Sequence, residues 1–148
     1  MSNKDNIDAV IYQIKRLQSV NEIYRFLCNS NLPKNDFTSG INFAKENQLL
    51  LLFSMLYSVF DDQENALSLE KITFDDNNLE NKRKELIHEW KAIEKSIKII
   101  RHKLGFHSSK EIKGQKKACE QFQTIGDKPF DIINKLNLLY DEYIKKIK

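Results

Sequence analysis

The sequence predicts an all-α protein, because helix-forming residues dominate it and helix-breaking residues are scarce. Among its 148 residues there are only four glycines and two prolines. Apolar residues recur at spacings of three and four, which is the period of one face of an α-helix. A chain of this length can bury a single core without disulfides or metals. We therefore expect one domain over residues 1–148, folded as a bundle of four to five helices.

Two helices are predicted in the first part of the chain, over residues 5–29 and 38–60. An amphipathic stripe marks the first, and it consists of Ile7, Ile11, Ile14, Leu17, Tyr24 and Leu27. The second is apolar around most of its circumference, which predicts burial on several sides. We assign one of its faces to Ile41, Ala44, Leu51, Met55 and Val59. Its most apolar part, residues 49–60, is too short to cross a bilayer of about 30 Å.

The third helix has the clearest pattern in the chain. The acidic segment 61–76 before it lacks a sustained period, so we predict a loop with a short helical turn, in which Asp75 or Asp76 caps the helix. Gly105 is expected to end the helix, since glycine is the preferred residue after a helix C-terminus. The apolar stripe is formed by Leu79, Leu86, Trp90, Ile93, Ile97, Ile100 and Leu104.

Capping and helix-breaking residues delimit two further helices. Ser108 to Glu111 has the form of a capping box and predicts a short fourth helix reaching about Gln123. Gly126 should break the chain direction, and Asp127 with a proline two residues later suits the start of a last helix. The stripe of that helix is Ile133, Leu136, Tyr140, Tyr143 and Ile147, in which packing is a commoner role for the tyrosines than base stacking.

The charge and the cysteine content limit the classes of function that this sequence predicts. The two cysteines, Cys28 and Cys119, are far apart and lack the spacing of a zinc or redox motif, so we expect reduced thiols, no metal and no cofactor. The polar start predicts a cytoplasmic protein without a membrane partner. The net charge is only +3, but residues 95–117 hold seven lysines and one arginine against one glutamate. This basic run is either a solvated surface or a surface that attracts RNA phosphates.

The candidate site lies at the end of the third helix, where Arg101 and His107 flank Gly105. On a continuous helix, residues six apart diverge by about 120°. A left-handed glycine can reverse the chain and bring His107 back beside Arg101. Taken alone, the two cations are more often simply part of a helix C-terminus, where positive charge is favoured by the helix dipole.

This arrangement resembles the signature of the HEPN superfamily, in which Arg, a polar residue and, after a gap of four to six residues, His end a long bundle helix. Here the signature spans Arg101 to His107, with His102 as the polar residue. Residues 56–61 and 66–69 are also similar to the end of the second helix in the AbiU-like, abortive-infection branch. The resemblance implies a homodimer that cleaves RNA without metal, acting in toxin or antiphage systems. A nucleotidyltransferase-type antitoxin is an expected partner.

The residue types suit that chemistry. An imidazole with an ordinary pKa of about 6.5 can take a proton from a ribose 2′-OH or give one to the 5′-oxygen. A guanidinium can hold the phosphate while negative charge builds on it. Each chain supplies one such pair, and a two-fold dimer would bring two His107 side chains into one cleft.

Other residues have a supporting role in this hypothesis. His102 is either solvated or a substrate contact, and Asp61 either caps a helix end or orients the arginine or histidine. RNA contacts are assigned to Lys103, Lys110 and Lys113 in the basic run. Two alternatives remain at this point: a catalytically silent module that binds RNA, a nucleotide or a protein in the same cleft, and a purely structural helical dimer.

Overall fold

The computed structural model of the protein describes residues 2–29, 38–104 and 112–148. These residues form five α-helices and one 3₁₀ turn over Leu69–Lys71, and no strand occurs among them. The all-α prediction is therefore confirmed for the described residues. The helices are α1 (Asn3–Asn29), α2 (Thr38–Phe60), α3 (Asn77–Leu104), α4 (Ile112–Ile125) and α5 (Lys128–Ile147).

Helix α3 is the central element of the bundle, since it packs against α2, α4 and α5, while α1 packs against α2 and α5. The stripe predicted for α3 is buried from Leu79 through Ile100, and Trp90 at its middle is completely shielded from solvent. In α5, Tyr143 is buried and its hydroxyl donates a hydrogen bond of 2.8 Å to Asp8 of α1. This contact confirms a packing role for Tyr143.

The face assigned to α2 is wrong in part. Val59 is buried as expected, but Leu51 is 38% exposed. The residues that α2 contributes to the core are Leu52, Phe53, Leu56, Tyr57, Val59 and Phe60. Because α2 is apolar nearly all round, its periodicity cannot distinguish the face that packs from the face that does not.

The predicted boundaries around α3 and α5 agree with the described structure. Asp76 caps α3, since its Oδ1 accepts a hydrogen bond of 2.9 Å from the backbone N–H of Leu79. Gly126 separates α4 from α5 with a φ of +52°, a left-handed conformation that glycine adopts without steric cost. Asp127 stands at the N-cap of α5 without a capping hydrogen bond from its side chain.

Two predicted features lie outside the described residues: the break at Gly105 and the capping box from Ser108 to Glu111. Helix α3 is described as far as Leu104, so its ending at Gly105 stays a prediction. None of the described helices combines the length and apolar character that crossing a membrane requires. Cys28 and Cys119 are exposed free thiols.

Candidate active site

Arg101 lies in the last described turn of α3 and is half-buried. Its guanidinium carbon stands 4.9 Å from the centroid of the Tyr57 ring, which belongs to α2. A cation at this distance over a ring face is attracted by the negative face of the π-system. The contact joins the end of α3 to α2 and gives the guanidinium a defined position.

The Tyr57 ring belongs to an aromatic cluster, which also contains Phe60 and Trp90 and lies on the core side of this contact. Tyr57 is only 6% exposed and meets Trp90 edge-on, with ring centroids 5.9 Å apart and an interplanar angle of 71°. Trp90 stacks on Phe60 at 4.8 Å and 9°. Because both neighbours are fully buried, the ring beneath Arg101 has little freedom to move.

The surroundings of Tyr57 keep its phenol neutral. Burial raises the pKa of Tyr57 most, and the negative charges of Asp61 and Glu94 raise it further, while Arg101 lowers it. With Asp62, which also raises it, three carboxylates and one guanidinium therefore act on the same ring. Asp61 is close enough to influence this site, as the orienting hypothesis requires.

Asp61 also has a local structural role. Its Oδ1 accepts a hydrogen bond of 3.1 Å from the backbone N–H of Gln63, just after the end of α2. This bond supports the capping interpretation of Asp61. The structure thus places Asp61 at a helix end and within electrostatic range of Tyr57, with no direct bond to Arg101.

Neighbouring carboxylates are occupied by a different cation. Lys91 lies 2.9 Å from Glu70, 3.5 Å from Glu94 and 3.7 Å from Asp62. The hydrogen bond that Lys91 donates to Glu70 is the main reason why the pKa of Lys91 is raised. Among the described residues, no carboxylate lies within ion-pair distance of Arg101.

The other predicted site residues are placed as follows. His102 is exposed beside Arg101 on the solvent face of α3. His107 and Lys110 lie outside the described residues, as do the side chains of Lys103 and Lys113. The pairing of Arg101 with His107 accordingly stays a prediction.

Sequence reasoning missed Tyr57 as a site residue. Tyr57 belongs to the stretch 56–61 that resembles the AbiU-like branch, but no role was assigned to it. A tyrosine on an all-round apolar helix looks like a packing residue, and 44 positions separate it from Arg101 in the sequence. Only the packing of α2 against α3 shows that the two side chains meet.

The described residues hold no group of three or more His, Cys, Asp or Glu side chains that could bind a metal ion. An open pocket of about 600 Å³ lies between α3 and α5, lined in part by His88, Glu89 and Asp131. Neither Arg101 nor Tyr57 lines this pocket, so it is separate from the candidate site.

Comparisons of the chain with models of protein families, with curated proteins and with solved structures gave no match.

Proposed function

We propose that this protein is a metal-independent endoribonuclease of the HEPN type, with Arg101 and His107 as its catalytic residues. One observation carries the proposal: the guanidinium of Arg101 is held on the Tyr57 ring at the end of α3, without a carboxylate partner among the described residues. Unlike Lys91, which pairs with Glu70, Arg101 has no carboxylate within the described residues to neutralise its charge, and this supports a role in binding an anion. The HEPN resemblance supplies the reaction class.

In the proposed reaction, the ribose 2′-oxygen attacks the adjacent phosphorus while an imidazole takes its proton. The bond to the 5′-oxygen then breaks, and a second imidazole protonates that leaving oxygen. The products are a 2′,3′-cyclic phosphate, which can be hydrolysed further, and a free 5′-hydroxyl. Arg101 binds the phosphate oxygens and stabilises the charge that develops on them.

This chemistry supports a homodimer as the active form, because each chain supplies one His107 and the reaction uses an acid and a base. A two-fold axis near the end of α3 would bring two Arg101/His107 pairs into one cleft. The family resemblance further supports a cytoplasmic toxin or antiphage role, with a nucleotidyltransferase-type antitoxin as partner. Light scattering at micromolar concentration should give a dimer mass, and a monomer would remove the support for a shared cleft.

The decisive experiment is RNA cleavage in the presence of EDTA by the intact chain, Arg101→Ala and His107→Ala. Loss of Arg101 should slow cleavage by about a hundredfold, or about 3 kcal/mol, as expected for removal of one preorganised donor to an oxyanion. Loss of His107 should cost at least as much, since proton transfer is worth about 10²- to 10⁴-fold. Arg101→Lys should fall between, because lysine keeps the charge but not the bidentate geometry.

Lys15→Ala is the matched control, since Lys15 is an exposed cation on α1. It should cleave at the full rate, and circular dichroism should show that all variants are folded. Activity that vanishes with EDTA and returns with Mg²⁺ would contradict the proposed mechanism. RNA that is bound by Arg101 but never cut would instead support the silent binding module.

A further inference from the structure

The solvent face of α3 carries an unbroken line of basic side chains. Six positions between residues 84 and 102 follow one another at spacings of 4, 3, 4, 3 and 4. At 3.6 residues per turn, these six positions lie on one side of the helix, within an arc of about 80°. Each of these positions is a lysine or a histidine, and each is exposed. We call this line the α3 basic stripe, and it consists of Lys84, His88, Lys91, Lys95, Lys98 and His102.

The stripe is long, narrow and straight. At a rise of 1.5 Å per residue it extends for about 27 Å along the helix. Neighbouring members are about 5–6 Å apart at Cβ, as for any side chains three or four positions apart on a helix. Its last member, His102, is adjacent in sequence to Arg101, so the stripe ends at the candidate active site.

Most of the lysines in the stripe are not used to hold the fold. Lys91 forms ion pairs, but Lys84, Lys95 and Lys98 have no carboxylate within ion-pair distance among the described residues. Like charges at these spacings destabilise a helix by about 0.2–0.5 kcal/mol per pair. The charge of Lys84 helps to lower the pKa of Glu80, which offsets part of this cost, but Lys95 and Lys98 form no ion pair among the described residues, which favours a functional reason for this part of the stripe.

Carboxylates on the flanks of α3 limit the width of this positive surface. On one side, Glu85 and Glu89 pair with Lys135 of α5, and on the other side Glu94 pairs with Lys91. Acidic side chains thus lie on both sides of the stripe, and Lys91 within it is paired with Asp62, Glu70 and Glu94, so the unpaired lysines of the stripe are Lys84, Lys95 and Lys98. A strip of this shape matches a single linear polyanion better than a flat anionic surface.

We propose that the α3 basic stripe binds the phosphate backbone of single-stranded RNA and directs it toward Arg101. The identity of the polyanion rests on the proposed function. A bilayer is a poorer match, because none of the large hydrophobic side chains that are exposed among the described residues belongs to α3. A duplex is also poorer, since it presents two strands across a wide minor groove and the flanks of the stripe are acidic.

Binding along the stripe should not depend on base sequence. Lysine contacts a phosphate as a point charge, and such contacts position the nucleic acid without reading its bases. Each contact releases a counterion, so the logarithm of the binding constant falls with the logarithm of salt concentration by about 0.7 per contact for a single strand. The slope of this plot therefore counts the contacts.

The test measures binding of a fluorescent oligouridine by anisotropy at several salt concentrations, with Arg101→Ala in every protein so that cleavage is slow during the measurement. The stripe variant carries Lys84→Gln, Lys95→Gln and Lys98→Gln. Its slope should be smaller by about 2, and its affinity at about 0.1 M salt should be weaker by about a hundredfold, since each lost contact is worth a factor of about five.

The control variant carries Lys4→Gln, Lys15→Gln and Lys145→Gln, which remove the same charge from exposed positions on α1 and α5. It should bind like the parent protein. An equal loss in both variants would overturn the proposal, because net charge alone would then explain binding. Failure of the parent protein to bind, an unchanged slope in the stripe variant, or stripe-dependent binding to phosphatidylserine vesicles but not to RNA would overturn it as well.

Cleavage assays with Arg101 intact separate this proposal from the proposed function. If both hold, the stripe variant should raise KM for oligouridine and leave kcat unchanged, because the stripe binds the chain away from the reacting phosphate. Stripe-dependent binding without any cleavage would support the stripe and contradict the nuclease. Cleavage with an unchanged KM in the stripe variant would support the nuclease and overturn the stripe.

Discussion

The two halves of α3 use their positive charges in different ways. Over residues 77–91, three of the four lysine and arginine side chains form ion pairs, namely Lys82, Arg83 and Lys91. From Lys95 to Arg101, the lysines and the arginine have no carboxylate partner among the described residues, and Arg101 contacts the ring of Tyr57 instead. In the first half, the charges form ion pairs that stabilise the bundle. In the second half, the charges are left without ion pairs and can contact solvent or a ligand.

Arg83 is the clearest example of a fastening charge. It is only 8% exposed, donates to both oxygens of Glu80 at 2.9 and 2.6 Å, and also donates to the carbonyl of Leu69 at 3.0 Å. Glu80 in turn accepts a hydrogen bond from the backbone N–H of Phe74 at 2.9 Å. These bonds attach the segment around the 3₁₀ turn to α3.

The largest expected effect comes from breaking this attachment. Arg83→Ala should lower the free energy of unfolding by about 3 kcal/mol, because it leaves the Glu80 carboxylate partly buried without its partner. Urea denaturation at pH 7 measures the loss. Lys98→Ala is the control from the second half of the helix and should change stability by less than about 0.5 kcal/mol, as for an exposed residue without a specific partner.

A comparable loss in both variants would contradict the division between the two halves. Arg83→Met sharpens the test, because methionine keeps the length and apolar stem of the side chain but not its hydrogen bonds. It should remain destabilised relative to the intact chain. Recovery of full stability with methionine would show that packing, and not the bond to Glu80, fastens the segment.

Lowering the pH should remove part of the stability that the contact between Arg83 and Glu80 contributes. The hydrogen bond from Arg83 holds the pKa of Glu80 below the ordinary value of a glutamate, which means that the folded state binds this proton less tightly than the unfolded state. The stabilising contribution is therefore fully present above about pH 4.5 and is lost as the pH falls through the lowered pKa. Urea denaturation between pH 7 and pH 3 should show this decline.

Glu80→Gln is the variant that isolates the effect, since an amide of the same shape does not titrate. Its stability at pH 7 should be lower, and its decline with acid should be shallower than in the intact chain. The pKa values of Asp76 and Glu142 are also lowered, by bonds to Lys146 and Lys82, so part of the decline should persist. An identical acid profile in Glu80→Gln and the intact chain would contradict the assignment.

The smallest effect concerns the ring beneath Arg101 in the second half. Tyr57→Leu should slow RNA cleavage by about twofold to fivefold, since a cation–π contact at a partly exposed site is worth about 0.5–1 kcal/mol. Tyr57→Phe should retain the rate, because the ring face that attracts the guanidinium is preserved. The comparison of the two variants distinguishes the contribution of the ring to the cleavage rate from that of the hydroxyl.

A double-mutant cycle distinguishes positioning of Arg101 from general damage to the fold. Combined with Arg101→Ala, the change Tyr57→Leu should cost no further activity, because the group that the ring positions is already absent. The free energies of unfolding should be measured in parallel. An additive loss of activity in the double variant would show that Tyr57 acts independently of Arg101.

Local signals in the sequence predicted most of the helical framework. The three-and-four spacing from Leu79 to Ile100 identified the buried face of α3, and Asp76 and Gly126 marked boundaries where the structure has them. These features are predictable because a cap, a helix-breaking glycine and an amphipathic stripe are each determined by residues within a few positions of one another.

Only the tertiary structure decided which side chains meet across helices. The face of α2 that packs, the contact of Arg101 with Tyr57, and the separation of Arg101 from the carboxylates that hold Lys91 all depend on how α2 and α3 lie against each other. A repeating pattern of apolar residues specifies which face of a helix is buried, but it contains no information about the partner of that face or the angle between the two axes.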